Sequence, residues 1–240
     1  MDACYVFSIQ RRSPMVQKAT SAPRGVQSVL LTWLRSFSRC LQATARIKKQ
    51  FRDQWRHQTA IPKVAKIWKI YGSQDAHNDF VQYRHTVARK SGIPSGNARR
   101  RWHGTVRACR LGDTDQHDQL CSMSACALCS IIHDSFSVAH VGVRTSWSRF
   151  GHGLYFTATS SKANDYASGP AQSRYKAMLL NDVVLGQTYK VVGDNPSLTN
   201  PPYGYDSVLG EPGFGNLNYD ECVVYTPSAV RTSFLVIYEP

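Results

Sequence analysis

Acidic residues are scarce in the first part of this chain. Residues 1–110 hold four Asp and Glu against 22 Lys and Arg, and from Arg11 to Arg52 there is no acid at all. Residues 111–240 reverse the balance, with 12 acids against 7 bases. Such asymmetry points the first half at an anion: nucleic acid, a phosphorylated ligand or a lipid surface. The plainer alternative is a solvated basic face, since no nucleic-acid-reading motif accompanies the charge. Long apolar runs are also missing. Nothing approaches the roughly 20 residues a membrane-spanning helix needs, so no membrane role is expected. Met1–Gln10 lack the apolar stretch of a secretory signal. The seven cysteines are an odd number. Reduced thiols in the nucleus or cytoplasm are the expectation. Arg11–Arg52, acid-free and dotted with Ser and Thr, also has the composition of a mitochondrial targeting segment, or of a basic helix. No internal repeat is present.

What the chain does have is enough apolar content, 42%, for one sizeable folded domain. Residues 1–25, with Pro14, Pro23 and Gly25, read as a disordered basic tail. Residues 26–98 read as a helical basic segment leading into the domain. Val26, Leu30, Trp33, Leu34, Phe37 and Leu41 recur at helical spacing and predict a helix over about 26–56. Val64–Tyr71 has strand length, and Asp75 is placed to cap a helix running to about Lys90. From residue 99 to 240 the pattern changes to short β-branched and aromatic runs. These are Trp102–Val106, Leu154–Thr157, Tyr175–Leu185, Tyr189–Val192, Ser207–Leu209, Cys222–Tyr225 and Phe234–Tyr238, with Gly- and Pro-rich joints between them. This predicts a mostly antiparallel β domain with a few short helices, hence an α+β class.

Three pieces carry chemistry. His103-Gly104-Thr105 closes the first run. Phe150-Gly151-His152-Gly153-Leu154-Tyr155-Phe156 leads into Ser160-Ser161-Lys162-Ala163-Asn164-Asp165-Tyr166. Tyr205–Pro212 precedes Asn218-Tyr219-Asp220-Glu221-Cys222-Val223-Val224-Tyr225, where an acid opens a strand. Each alone has a bland reading: a structural histidine, core aromatics, a solvated acid. A fourth feature is Cys109, Cys121, Cys126 and Cys129, in C-x11-C-x4-C-x2-C with His117 and His133 nearby. The closing C-x2-C is typical of zinc ligation. The alternative makes Cys126 and Cys129 small buried residues on a helix Ala125–Ile132.

In order and spacing the three pieces resemble the catalytic domain of the poly(ADP-ribose) polymerases, from about Phe51 to Glu239. Tyr205–Pro212 and Tyr219–Tyr225 look most like tankyrases and compact fungal members. The resemblance implies an ADP-ribosyltransferase fold, with two packed, mainly antiparallel sheets, a cleft for NAD+, and an N-terminal helical segment before them. It implies transfer of ADP-ribose from NAD+ to a protein acceptor, as polymer or as single units, with nicotinamide released. Glu221 would be the catalytic carboxylate. His103 would hold the adenosine ribose, Gly104 would clamp the nicotinamide carboxamide through its backbone, and Tyr155 and Tyr166 would flank the ring. Ser161 and Lys162 fall on the family's Ser-Lys pair. Ala163 stands where a serine usually bonds the carboxamide, a loss that Thr105 or a water would have to offset. Tankyrases carry zinc after the Ser-Lys helix, whereas these cysteines precede Gly151. Two further readings stay open: NAD+ hydrolysis of a toxin-like kind on the same fold, and a nucleic-acid or ADP-ribose-binding module. The basic residues 1–110 offer electrostatic contact to nucleic acid or to poly(ADP-ribose).

Overall fold

A computed structural model describes residues 5–8, 42–141, 148–213 and 217–240. The predicted tail over 1–25 and the first part of the predicted helix, residues 26–41, lie outside these, apart from Tyr5–Ser8, which form strand β1 rather than a disordered tail. Residues 42–53 are helical (α1). There follow β2 (Lys63–Tyr71), α2 (Gln74–Ser91), β3 (Ala98–Gly104), α3 (Ala127–Asp134), β4 (Leu154–Phe156) and α4 (Ser160–Tyr166). The chain closes with β5 (Lys176–Val184), β6 (Thr188–Val191), β7 (Ser207–Gly210), β8 (Glu221–Val224) and β9 (Val230–Glu239).

The strands form two sheets, in the orders β1-β2-β9-β5-β3 and β4-β8-β7-β6. All pairings are antiparallel except β1 with β2 and β6 with β7. This is the expected α+β architecture. β2 lies between β1 and β9, so residues 63–71 and 230–239 share one sheet.

The five-stranded sheet is covered on both faces, which is why β5 and β9 read as nearly continuous apolar runs instead of alternating. On one side Ile67, Trp102, Met178, Leu180, Val236 and Tyr238 meet Ile47, Phe51 and Trp55 around α1. On the other, Trp68, Leu179, Leu235 and Ile237 pack with Leu128 and Ile132 of α3 and with Leu154, Phe156, Cys222 and Val224 of the second sheet. Side chains therefore fill the space between the sheets. α2 lays Phe80 and Val87 on Val184. Its cap is Ser73, whose Oγ accepts from the Ala76 N–H at 3.2 Å, not the expected Asp75. That acid sits in the first turn instead, where the helix dipole favours it.

Candidate active site

Among the described residues, the backbones of the two sheets are stitched where β3 meets the end of β4. Trp102 and Thr157 exchange both backbone hydrogen bonds, at 2.8 and 3.1 Å. The next residue on β3 is His103, whose Nδ1 lies 3.0 Å from the Tyr155 carbonyl. A carbonyl only accepts, so Nδ1 carries the proton and Nε2 keeps its lone pair. Phe136 meets the ring edge-on at 5.0 Å and Phe156 flanks it at 5.6 Å. Burial pulls the imidazole below its ordinary pKa, against the opposing bond to Tyr155. At neutral pH the ring is a neutral acceptor.

Gly104 has a packing reason to be glycine. A Cβ there would lie 1.8 Å from the Ala163 carbonyl oxygen, so the missing side chain lets α4 rest on β3. The Thr105 carbonyl accepts from the Ser168 N–H at 3.3 Å, extending the same seam.

On β4, Tyr155 is the register partner of Val223 on β8. Side chains alternate along a strand, so Tyr155, Val223 and Glu221 project from one face of the four-stranded sheet. Glu221 stands about 7 Å along β8 from that pairing. This face turns away from the five-stranded sheet, since Leu154, Phe156, Cys222 and Val224 point inward. The Tyr155 hydroxyl donates to the Gly151 carbonyl at 2.8 Å and accepts from the Phe150 N–H at 2.9 Å. Burial pushes it up to about 12, so it stays protonated and fixes the turn before β4, while its ring is half-buried.

The two turns of α4 present two different faces. Ser160, Ser161 and Ala163 face the interior. The Ser160 Oγ donates to the Phe51 carbonyl at 2.7 Å, and the Ser161 Oγ accepts from the Arg56 N–H at 3.0 Å. Ala163 joins the cluster around Phe51 and Trp102. Of the sites expected on α4, Ser161 and Ala163 thus serve the contact with the end of α1. Lys162 and Tyr166, one turn apart, form the other face. Lys162 Nζ donates to Glu221 Oε1 at 2.6 Å and to the Asp220 carbonyl at 3.3 Å. Tyr166 is 56% exposed. Its hydroxyl is raised first by partial burial and then by the Glu221 charge.

Glu221 itself is mostly buried, and its Oε2 has no hydrogen-bond partner among the described residues. Arg149 Nε stands 3.9 Å from that oxygen, and an Arg149 terminal nitrogen is 2.5 Å from Asp194. Sequence reading missed both Arg149 and Asp220. The Asp220 carboxylate accepts from the Thr157 hydroxyl (2.8 Å), the Ala158 N–H (2.7 Å) and the Thr159 hydroxyl (3.0 Å). It thereby ties the β4–α4 turn to the start of β8 and sets where Glu221 stands. The cue was present in Thr157-Ala158-Thr159, a short run of donors that wants one acceptor.

The four cysteines also come together, their sulfurs all within 4.8 Å of one another. The nearby histidines stay out of that group: His117 bonds Thr114 and His133 bonds Asp134. Cys126 and Cys129 are buried at the start of α3 as well, so both sequence readings of that pair describe the same place.

Residues 121–213 match the family model described as the poly(ADP-ribose) polymerase catalytic domain. That stretch contains Tyr155, Lys162 and Tyr166; His103 precedes it and Glu221 follows it. Among curated proteins, human protein mono-ADP-ribosyltransferase PARP3 is 27% identical over 150 residues, covering 62% of this chain and 22% of that protein. The chicken PARP3 is 43% identical over 63 residues, 26% of this chain and 12% of the relative. Mouse mono-ADP-ribosyltransferase PARP4 is 31% identical over 97 residues, 39% of this chain and 5% of the relative. The chain thus spans about a fifth or less of the length of these relatives.

Proposed function

We propose that the chain carries a catalytic domain of the poly(ADP-ribose) polymerase type and with it transfers ADP-ribose from NAD+ to a protein acceptor, releasing nicotinamide; the family match over residues 121–213 and the similarity to mono-ADP-ribosyltransferases support this. One observation supports this above the others: a mostly buried carboxylate with one oxygen clamped by a lysine and the other free of hydrogen bonds among the described residues. Breaking the nicotinamide–ribose bond builds positive charge on the sugar. Glu221 Oε2 takes a ribose hydroxyl and stabilises that charge. Lys162 holds Oε1, so the carboxylate does not have to reorganise as charge develops. Tyr166 and the Tyr155 ring flank the nicotinamide. His103 Nε2 accepts from the adenosine ribose, Gly104 offers its backbone to the carboxamide, and Thr105 offsets the hydroxyl missing at Ala163. Nicotinamide departs as a neutral leaving group, and Glu221 takes the proton of a hydroxyl acceptor as it attacks.

Single-unit transfer is the form proposed, because the curated relatives named above are mono-ADP-ribosyltransferases. Incubation with labelled NAD+, followed by gel and mass spectrometry, tests both parts. Discrete labelled bands are expected. A smear would overturn the single-unit form, and free ADP-ribose without labelled protein would mean hydrolysis instead.

A second proposal concerns the basic first half, taken to touch nucleic acid or poly(ADP-ribose) through its charge. Its excess over residues 1–110 supports the reading. Binding of a labelled oligonucleotide should then weaken steeply with salt, since each neutralised phosphate releases counterions. Binding that ignores salt would remove the idea. Free thiols at Cys109, Cys121, Cys126, Cys129 and Cys222 support a reducing compartment as the place of action.

A further inference from the structure

Between β3 and α3, residues 105–126 contain no strand or helix beyond a single bridge at Val106. A compact domain seldom holds so long an irregular stretch without something to fasten it. We infer that Cys109, Cys121, Cys126 and Cys129 hold one structural zinc ion, which pins this stretch and the start of α3 beside His103.

The sulfurs come from separate places in the chain and meet at one point. Cys109 and Cys121 lie in the irregular stretch, Cys126 is the N-cap of α3, and Cys129 lies in its first turn. Four thiolates around zinc at about 2.3 Å stand roughly 3.8 Å apart in a tetrahedron. Cys109 lies 3.8 Å from Cys126 and 3.5 Å from Cys129, and all four sulfurs fall within 4.8 Å. These separations are far beyond a disulfide bond, and all four cysteines are free. A backbone N–H already faces the sulfurs: Ala108 donates to Cys126 at 3.3 Å, as outer partners that orient a ligand do around a metal. Among the described residues, no carboxylate or imidazole joins the group. An all-sulfur, four-coordinate set suits zinc and excludes magnesium or calcium. With every position taken by protein, the ion would be structural.

The consequence reaches the active site through α3. The helix buries Leu128 and Ile132 against the sheets, and the Leu128 N–H donates to the Val106 carbonyl at 3.0 Å. Two residues after the helix, Phe136 meets the His103 ring. Zinc therefore holds one wall of the histidine from outside the cleft and touches no reacting atom.

Elemental analysis of the reduced, purified protein after exhaustive dialysis tests this, independently of any transferase activity. About one zinc per chain is expected. Cobalt substituted for zinc should give the strong visible absorption of a tetrahedral all-thiolate site. Cys121→Ser should lose most of the metal, and chelator-stripped protein should melt earlier and bind NAD+ more weakly. The measurement on the unmutated chain stands even if variants do not fold. Zinc well below one per chain with four thiols titrating freely would overturn the inference. So would stoichiometric iron, or a disulfide found by mass spectrometry in protein purified with reductant.

Discussion

Glu221 divides its oxygens between two tasks: Lys162 holds Oε1, and Oε2 makes no hydrogen bond among the described residues, with Arg149 Nε 3.9 Å away. Glu221→Gln keeps the shape and removes the charge. Nicotinamide release should fall by roughly 100- to 1,000-fold, the usual loss when one transition-state partner is removed. Circular dichroism should show the fold retained, and near-normal turnover would dismiss Glu221 from the chemistry. His103 supplies a pH signature. Unfolded, its ring takes a proton near pH 6.5; burial lowers that value in the folded protein. Between the two values the unfolded chain binds more protons, so stability falls as pH drops below about 6.5. His103→Gln should lose that part of the slope. Melting temperatures of both proteins at several pH values from about 7.5 to 5.5 would show it. Equal slopes would mean that the ring is not held neutral. Both residues were legible as types at their positions. Their partners were not, because Lys162 and Arg149 reach Glu221 from segments the sequence does not place beside it, and Asp220, its neighbour, is fixed by Thr157, Ala158 and Thr159 far back in the chain.

Among the elements, the irregular stretch 105–126 depends on Arg107, which is fully buried. Its guanidinium donates to the Leu111 carbonyl at 2.7 Å, Asp113 at 2.5 Å, the Ser173 hydroxyl at 3.0 Å and the Tyr175 carbonyl at 2.7 Å. One planar fork thus ties the loop to the start of β5. Arg107→Met would leave the Asp113 carboxylate buried with only Arg110 nearby, a loss of roughly 3–5 kcal/mol. Replacing Asp113 by Leu in the same chain should recover much of it. Denaturant unfolding of the single and double variants measures both. A single variant as stable as the parent would show the clamp to be dispensable. The strands after β3 were readable because apolar runs between Gly- and Pro-rich joints mark them wherever they pack. The roles on α4 were not. Periodicity groups Lys162 with Tyr166 and Ser160 with Ala163, but only the contact with Phe51 and Arg56 decides which face looks inward.

Over the whole molecule, the charge imbalance between the halves is partly internal pairing. Lys66 meets Asp115, Lys90 meets Asp206, Arg100 meets Asp182 and Arg107 meets Asp113, each joining a base of the first half to an acid of the second. The exposed pairs stabilise little individually, yet they reduce the excess charge offered to a polyanion. The sheet order carries a sharper consequence. β2 sits against β9, a strand buried along most of its length. A fragment of residues 99–240 keeps every residue given a role in the chemistry and loses both β2 and the α1 cover. Its uncovered apolar strand edge should make it aggregate. Expression followed by gel filtration checks this, and a soluble monomer with a cooperative melt would show β2 to be an accessory. The sequence by itself determined the strand-rich class, the order of the site motifs and the residue types at each position, because local periodicity and side-chain chemistry are written residue by residue. Only the tertiary structure decided that β2 belongs to the central sheet, that Ser161 and Ala163 turn inward, and that four unevenly spaced sulfurs meet. Each of these depends on which distant surfaces bury one another, and burial is a property of the assembled fold.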